Sequence, residues 1–262
     1  MIVRTPEERA GIRESGRRLG QVLETLAAIV APGVATWELD TRAAELIRAG
    51  GDEPSFLGYT PEGARMPYPG SLCISVNDEV VHGIGVAGMP ERKLKEGDIV
   101  TLDLGVTHQG FVTDSALTVP VGKVSKEARD LMAATREALE RAIAAARPGN
   151  RVGDISFATA EAFKGTGFSV VKMLGGHGVG RSVHEEPFIA NAGYPGTGPE
   201  LVAGMVLALE PIANAGKAAV ALANDGYTYR TKDGTYSAHF EHTILIEEAE
   251  TLVLTRRPSE LA

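Results

Sequence analysis

One histidine and two carboxylates follow one another in the same order twice along this chain. His82 in VHGIGV, Asp103 in GDIVTLD and Asp114 in FVTDSALTV form the first series; His177 in GHGVGR, Glu210 in GMVLALE and Glu241 in HFEHTILIE form the second. The acids stand in apolar, β-prone runs, where an unpaired charge shifts its pKa or carries a penalty of several kcal/mol. No lysine or arginine lies within two residues of any of the four. A pair of divalent cations would neutralise them, because four carboxylates and one imidazole make an oxygen-rich mixed donor set. Bridging carboxylates hold two metals roughly 3.5–4 Å apart in such sites. The plainer alternative for each acid taken singly is a strand end or a surface position, which fits one acid more easily than four in a repeated order. Other chemistries find less support. An HExxH helix, a GxxxxGK[ST] loop and a GxSxG elbow are absent from the sequence. Cys73 in LCISVN is a candidate nucleophile without an identified base, a pattern that more often means packing.

The elements that must position these residues also read twice. Thr5 and Pro6 open a helix, with Glu8 placed for a capping box, and Ile12, Leu19, Leu23, Leu26 and Val30 keep helical spacing until Pro32-Gly33. A second helix is expected from Thr36 to Gly50-Gly51. Ser125 caps a third, carrying Leu131, Leu139 and Ile143 and ending at Pro148-Gly149, and a fourth runs to about Lys164. APGVATWELDTRAAELIRAGG and ARPGNRVGDISFATAEAFKGTG share PG, an acid-aliphatic pair (Glu38-Leu39, Asp154-Ile155) and Ala-Glu, all offset by 116 positions. The histidines are offset by 95 and the acids by 107 and 127, so connecting loops must differ in length.

DIVTLDLGV and FVTDSALTV read as strands joined at THQG, and MVLALEPIA and HFEHTILIE as strands flanking an irregular NDGYTYRTKDG region. LGGHGVGRSVHEEP, with glycines at 175, 176, 178 and 180, reads as a bent loop rather than a helix. The expectation is an α/β (α+β) fold in a single catalytic domain, 1–262. Two pseudo-symmetric halves, about 5–120 and 121–250, would carry antiparallel strands around a central cleft with helices outside.

Composition bounds the class. With 262 residues, 44% apolar and 23% charged, the chain suits one large domain or two small ones with a sizeable core. A net charge of −8 argues against dedicated nucleic-acid binding. The single cysteine precludes an internal disulfide and fits a reducing cytosol. Neither a signal-peptide core nor a run near 20 apolar residues is present, so a cytoplasmic location and no membrane are expected.

TLDLGV, VTDSAL, GGHGVG, LALEPI and FEHTI, with VNDEVVHGI and GGHGVGRSVHEEP, resemble the signatures of type I methionine aminopeptidases over nearly the whole chain. The resemblance implies the pita-bread fold and removal of the initiator methionine from nascent polypeptides whose second residue is small. It implies two divalent cations per chain (Co, Mn, Fe, Zn or Ni): Asp103 chelating one, Asp114 and Glu241 bridging, His177 and Glu210 completing the second. Glu210 would also shuttle protons, and the water between the metals would be the nucleophile. His82 and His184 would contact substrate and stabilise the tetrahedral intermediate.

By motif position Phe56, Tyr59, Tyr68, Cys73, Val183 and Tyr227 would surround the methionine, with plain core packing as the alternative for each. The sequence departs from the pattern in the longer 60–67 loop, TPEGARMP, in Val183 where a bulkier aromatic often stands, and in Tyr227 in place of a frequent Trp. Implied partners are nascent N-termini and the ribosome, with the chain a monomer. Prolidases and Xaa-Pro aminopeptidases share the fold but usually add a large N-terminal domain. Type II methionine aminopeptidases insert a helical segment between the positions of His184 and Glu210, which here are 26 apart. A non-catalytic binding relative would be expected to lose ligands, and all five are present.

Overall fold

Helix α1 (Pro6–Ala28) starts at Thr5, whose hydroxyl accepts from the Glu8 N–H at 3.2 Å. The expected capping box is half formed: the Glu8 carboxylate accepts from the Arg4 N–H at 2.8 Å, one residue before the cap. Ile12, Leu19, Leu23 and Leu26 are fully buried on one face, each burial stabilising by about 1.5–3 kcal/mol. Helix α2 (Thr36–Ala49) follows, and then β1 (Glu53–Pro54), β2 (Cys73–Val76), β3 (Glu79–Val81), β4 (Ile99–His108) and β5 (Phe111–Pro120). The THQG turn joins β4 to β5 with Gln109 and Gly110 both at positive φ, the geometry that suits a tight hairpin. β4 pairs with β5 along one edge and with β1 and β2 along the other, all antiparallel.

Helices α3 (Lys126–Ala145) and α4 (Val152–Ala162) repeat the helical prelude, with Ser125 capping α3 by accepting from the Ala128 N–H at 3.1 Å. Ten strands follow: β6 (Ser169–Val170), β7 (Gly175–Gly178), β8 (Glu185–Ala190), β9 (Val206–Leu209), β10 (Ile212–Asn214), β11 (Val220–Leu222), β12 (Tyr229–Thr231), β13 (Ser237–His239), β14 (His242–Ile246) and β15 (Thr251–Val253). They form a sheet ordered β15-β14-β9-β7-β8, a second ordered β13-β10-β6, and a third in which β12 joins β11 to β3. One apolar core links α1, α2 and α3 to β4 and β9 through Leu19, Leu39, Leu139, Leu102 and Leu207. The computed structural model describes residues 1–61, 64 and 66–261, so Glu62, Gly63 and Arg65 of the longer loop lie outside the described residues.

Three sequence expectations change. The glycine-rich segment opens as a strand, β7, and bends as expected only over 179–184: a Cβ on Gly176 or Gly178 would stand 2.2 Å from the carbonyl oxygens of Ala208 or Glu186. Glycine is there to let the neighbouring strands close in. The region between the second pair of acidic strands is partly ordered as the β11-β12 hairpin, which pairs with β3. MVLALEPIA and HFEHTILIE each break into two strands belonging to different sheets, and the breaks fall at the acids.

Candidate metal centre and substrate cavity

Asp103 and Asp114 come from an unbroken ladder. Asp103 pairs with Ala116 and Asp114 with Gly105, so the two carboxylates are diagonal neighbours on one face of the β4-β5 ribbon. Glu210 and Glu241 come instead from the sheet crossings. Glu210-Pro211 joins β9 to β10, and Phe240-Glu241 joins β13 to β14. Proline has no N–H to give a ladder, which fits its place at such a break. The Glu241 N–H donates to Ala116 O at 2.9 Å, and Ser115 Oγ donates to Glu241 O at 2.7 Å. This crossing therefore docks on the strand that carries Asp114. Thr243 adds a second tie: its hydroxyl accepts from the Asp114 N–H at 2.9 Å and donates to Asp114 O at 2.7 Å. His177 pairs with Ala208 of β9, and a register shift against β8 between Gly176 and Gly178 leaves it unopposed there, as a bulge that aims a side chain does.

Ligand atoms of Asp114, His177 and Glu241 lie within 4.8 Å of one another, and His177 Nε2 is 3.5 Å from Glu210 Oε1. Oxygens Asp103 Oδ1, Asp114 Oδ1 and Glu241 Oε1 are buried without a hydrogen-bond partner. Buried carboxylate oxygens without donors cost too much to keep unless something else binds them. A cation fits this donor set, hard oxygens with one imidazole.

The electrostatics agree. Burial pushes Asp103 up to about 7, against a hydrogen bond from Asp114 that pulls the other way. Burial, then repulsion from Asp103 and Glu210, drives Asp114 well above the carboxylate range. Glu241 and Glu210 are raised in the same way. Burial lowers His177 to about 3, leaving a neutral imidazole free to ligate. The metal-free site therefore holds protons near pH 7 that a cation must displace. Raised carboxyls release protons only as pH climbs through their shifted range, so metal affinity rises with pH and falls on acidification below about 7. Calorimetric titration with Mn²⁺ in two buffers of different ionisation enthalpy should show proton release at pH 7; equal heats in both would contradict the shifts.

Every residue expected at the site lines one cavity: Asp103, Asp114, His177, Glu210 and Glu241 with His82, His184, Phe56, Tyr59, Tyr68, Cys73, Val183 and Tyr227. Its empty volume, mouth included, is about 570 Å³, in the range of small-molecule sites. Pro61, Val81 and His239 also line it and were not anticipated. Phe56, Tyr68, Cys73, Val183 and Tyr227 form one apolar cluster with Tyr59 packed against it, so core and pocket wall are here the same residues.

Gly105 makes room for one wall, since a Cβ there would stand 2.8 Å from Phe56 Cε1. Tyr68 Oη donates to Gly83 O at 2.8 Å, and its ring meets Tyr227 edge-on at 5.2 Å. The Tyr227 hydroxyl donates to the Met66 carbonyl, tying the long loop to the wall. Cys73 pairs with Asp103, and burial, then the Asp103 charge, push its thiol well up. The candidate nucleophile is therefore held as a packed thiol.

His82 and His177 share a motif but not a conformation. His82 follows β3 in the left-handed region at φ 58°, whereas His177 is a strand residue. Burial, then the neighbouring His184, lowers His82 to about 4. His184 stacks edge-on to His177 at 4.4 Å between centroids, and its Nδ1 is 2.8 Å from Tyr59 Oη. That contact is absent from the sequence reading, which placed Tyr59 only in the side-chain pocket. With the phenol donating to Nδ1, the neutral imidazole keeps its proton on Nε2 and becomes a hydrogen-bond donor.

Residues 10–248 match the model of metallopeptidase family M24. The chain belongs to this metallopeptidase family. Within the M24 metallopeptidases it groups with the methionine aminopeptidases. It is 44% identical to the methionine aminopeptidase of Aquifex aeolicus over 93% of this chain and 94% of that one. To methionine aminopeptidase 1 of Bacillus subtilis it is 43% identical over 98% and 99%. The crystal structure of the Thermotoga maritima methionine aminopeptidase superposes with a TM-score of 0.91 at 40% identity, covering 98% of this chain and 100% of that one. Prolidase from Pyrococcus furiosus gives 0.72 at 22% identity and is covered over only 65% of its length, a likeness of fold alone. The M24 fold is the pita-bread fold expected from the sequence, with its antiparallel strands and outer helices. Among the described residues no helix is long and apolar enough to cross a membrane.

Proposed function

We propose that this chain releases N-terminal methionine from polypeptides whose second residue is small. The observation that carries the reading is the set of buried, donorless carboxylates at the floor of an apolar cavity, beside neutral histidines. Asp103, Asp114, His177, Glu210 and Glu241 would hold two divalent cations, with Asp114 and Glu241 shared between them. When bound, the cations supply a water nucleophile near neutral pH and polarise the scissile carbonyl.

The chain's own residues do the rest. Phe56, Tyr59, Tyr68, Cys73, Val183 and Tyr227 receive an unbranched thioether side chain. Glu210 would also take and return a proton at the scissile bond. His184 Nε2–H, oriented by Tyr59, donates to the oxyanion as it forms, and His82 borders the same cleft. These histidines leave little room for a branched or long side chain after the methionine. The metals would be drawn from Mn, Fe, Co, Ni or Zn, and the chain would work as one catalytic domain on nascent chains.

Met-Ala-Ser, Met-Ile-Ser and Ala-Pro-Ser assayed at the same metal loading test this. Met-Ala-Ser should be cut and the others resist; fastest cleavage of Ala-Pro-Ser would make the chain an Xaa-Pro peptidase. Tyr59→Phe should lower kcat roughly fivefold, the worth of one hydrogen bond of about 1 kcal/mol, with KM little changed. An unchanged kcat would remove Tyr59 from the orientation of His184.

A further inference from the structure

His239 ends β13, two residues before Glu241, and its side chain is only 2% exposed. Neither ring nitrogen has a hydrogen-bond partner. Its backbone is fixed: the N–H donates to Thr118 Oγ1 at 2.9 Å, and that hydroxyl donates back to His239 O at 2.9 Å. Thr118 belongs to β5, the strand of Asp114, so the ring is anchored to the same frame as the carboxylates. Nε2 points between two of them, 3.7 Å from Glu210 Oε2 and 3.9 Å from Glu241 Oε2.

These distances exceed a hydrogen bond, but the crossing that carries Glu210 is held through its backbone. Asn191 Nδ2 donates to Glu210 O at 3.0 Å, which leaves the carboxylate able to turn about its own side-chain bonds. Glu210 thus stands between two imidazoles, with Oε1 facing His177 and Oε2 facing His239. His239 lines the same cavity as the five expected ligands, and like Asp103 and Glu210 it lies outside the group of Asp114, His177 and Glu241 whose ligand atoms are mutually close.

We propose that His239 is a positioning residue that donates its Nε2–H into the gap between Glu210 and Glu241 and fixes both carboxylates in their metal-holding orientation. This rests on the metal-centre reading above. A ligand carboxylate with one oxygen turned to a fixed donor keeps its direction, and loss of such a donor typically costs about 10–100-fold in metal affinity. The donor, not the ring's bulk, carries the effect, so an amide N–H can replace it and an apolar side chain of similar size cannot.

Mn²⁺ dissociation constants, measured by chelator competition for wild type, His239→Gln and His239→Leu, test the inference independently of turnover. His239→Leu should bind about 10–100-fold more weakly, while His239→Gln should stay within about threefold of wild type. Circular dichroism and thermal unfolding of the metal-free proteins establish that both variants fold. If a folded His239→Leu binds as tightly as wild type, or if both variants lose affinity equally, the positioning role is wrong. X-ray absorption on the Zn²⁺-loaded proteins supplies a second readout. Its imidazole count should be the same in wild type and His239→Gln, and one imidazole fewer in the variant would make His239 a ligand and overturn the proposal. Failure of wild type to bind any metal would overturn the metal centre itself, a result separate from either of these.

Discussion

Asp114→Asn should reduce methionine release to the uncatalysed background and lower metal content. A neutral amide cannot serve as a bridge between two cations, and Asp114 is crowded by both Asp103 and Glu210. Loss of activity here should not come from loss of fold. Asp114 is held through its backbone by Thr243, contacts that the substitution keeps. Its carboxyl is raised by burial and by Asp103 and Glu210, so in the metal-free protein its ionisation opposes folding. A raised carboxyl loses stability as pH climbs from the usual carboxylate range through its shifted value. The metal-free Asn variant should therefore unfold at a higher temperature than metal-free wild type at pH 8, and the metal-loaded order should reverse. Full turnover with two metals bound would sink the bridging assignment.

His184→Ala should behave in the opposite sense toward metal. In the proposed role the ring lines the cavity as a donor and not as a ligand, so metal content and unfolding temperature should stay near wild type while kcat falls about 10²–10³-fold. The loss should exceed that of Tyr59→Phe, because the substitution keeps the ring in the pocket wall and removes only the hydroxyl that acts through the imidazole. Adding Tyr59→Phe to His184→Ala should then cost little more, since residues acting as a unit are not additive. Loss of metal from His184→Ala would place this residue among the ligands.

The helices were legible because α1 and α3 are amphipathic and properly capped, and Thr5 and Ser125 fix their starts within a residue. The β4-β5 hairpin was legible for the same kind of reason, since its turn, its β-prone runs and its two acids lie in one local stretch. The breaks at Glu210 and Glu241 were not. An apolar run looks the same whether its strand stays in one sheet or passes to another, and only Pro211 hinted at the change. β7 was hidden by its glycines, which suggest a loop until the carbonyls that crowd them are seen.

Gathering the site residues depended on motifs whose order and chemistry were local, and all of them reach one cavity. Contacts between distant positions could not be read. Tyr59 and His184 meet across 125 positions. His239 was passed over because SAHFEHTI offers it only as a polar residue in an apolar run, two places before an acid. That pattern, a buried imidazole beside a carboxylate, was the available signal.

The central claim is that these carboxylates bind metal in order to release methionine. Metal-free protein, prepared with a chelator under anaerobic conditions and titrated with Mn²⁺ while free methionine from Met-Ala-Ser is followed, tests it most directly. The account predicts no release before metal is added, then a rise that saturates near two equivalents per chain. It also predicts the same metal binding, with release slowed about 10²–10³-fold, in a chain carrying His184→Ala. Undiminished release of methionine in excess chelator, or metal bound at full stoichiometry with Met-Ala-Ser left intact, would contradict it.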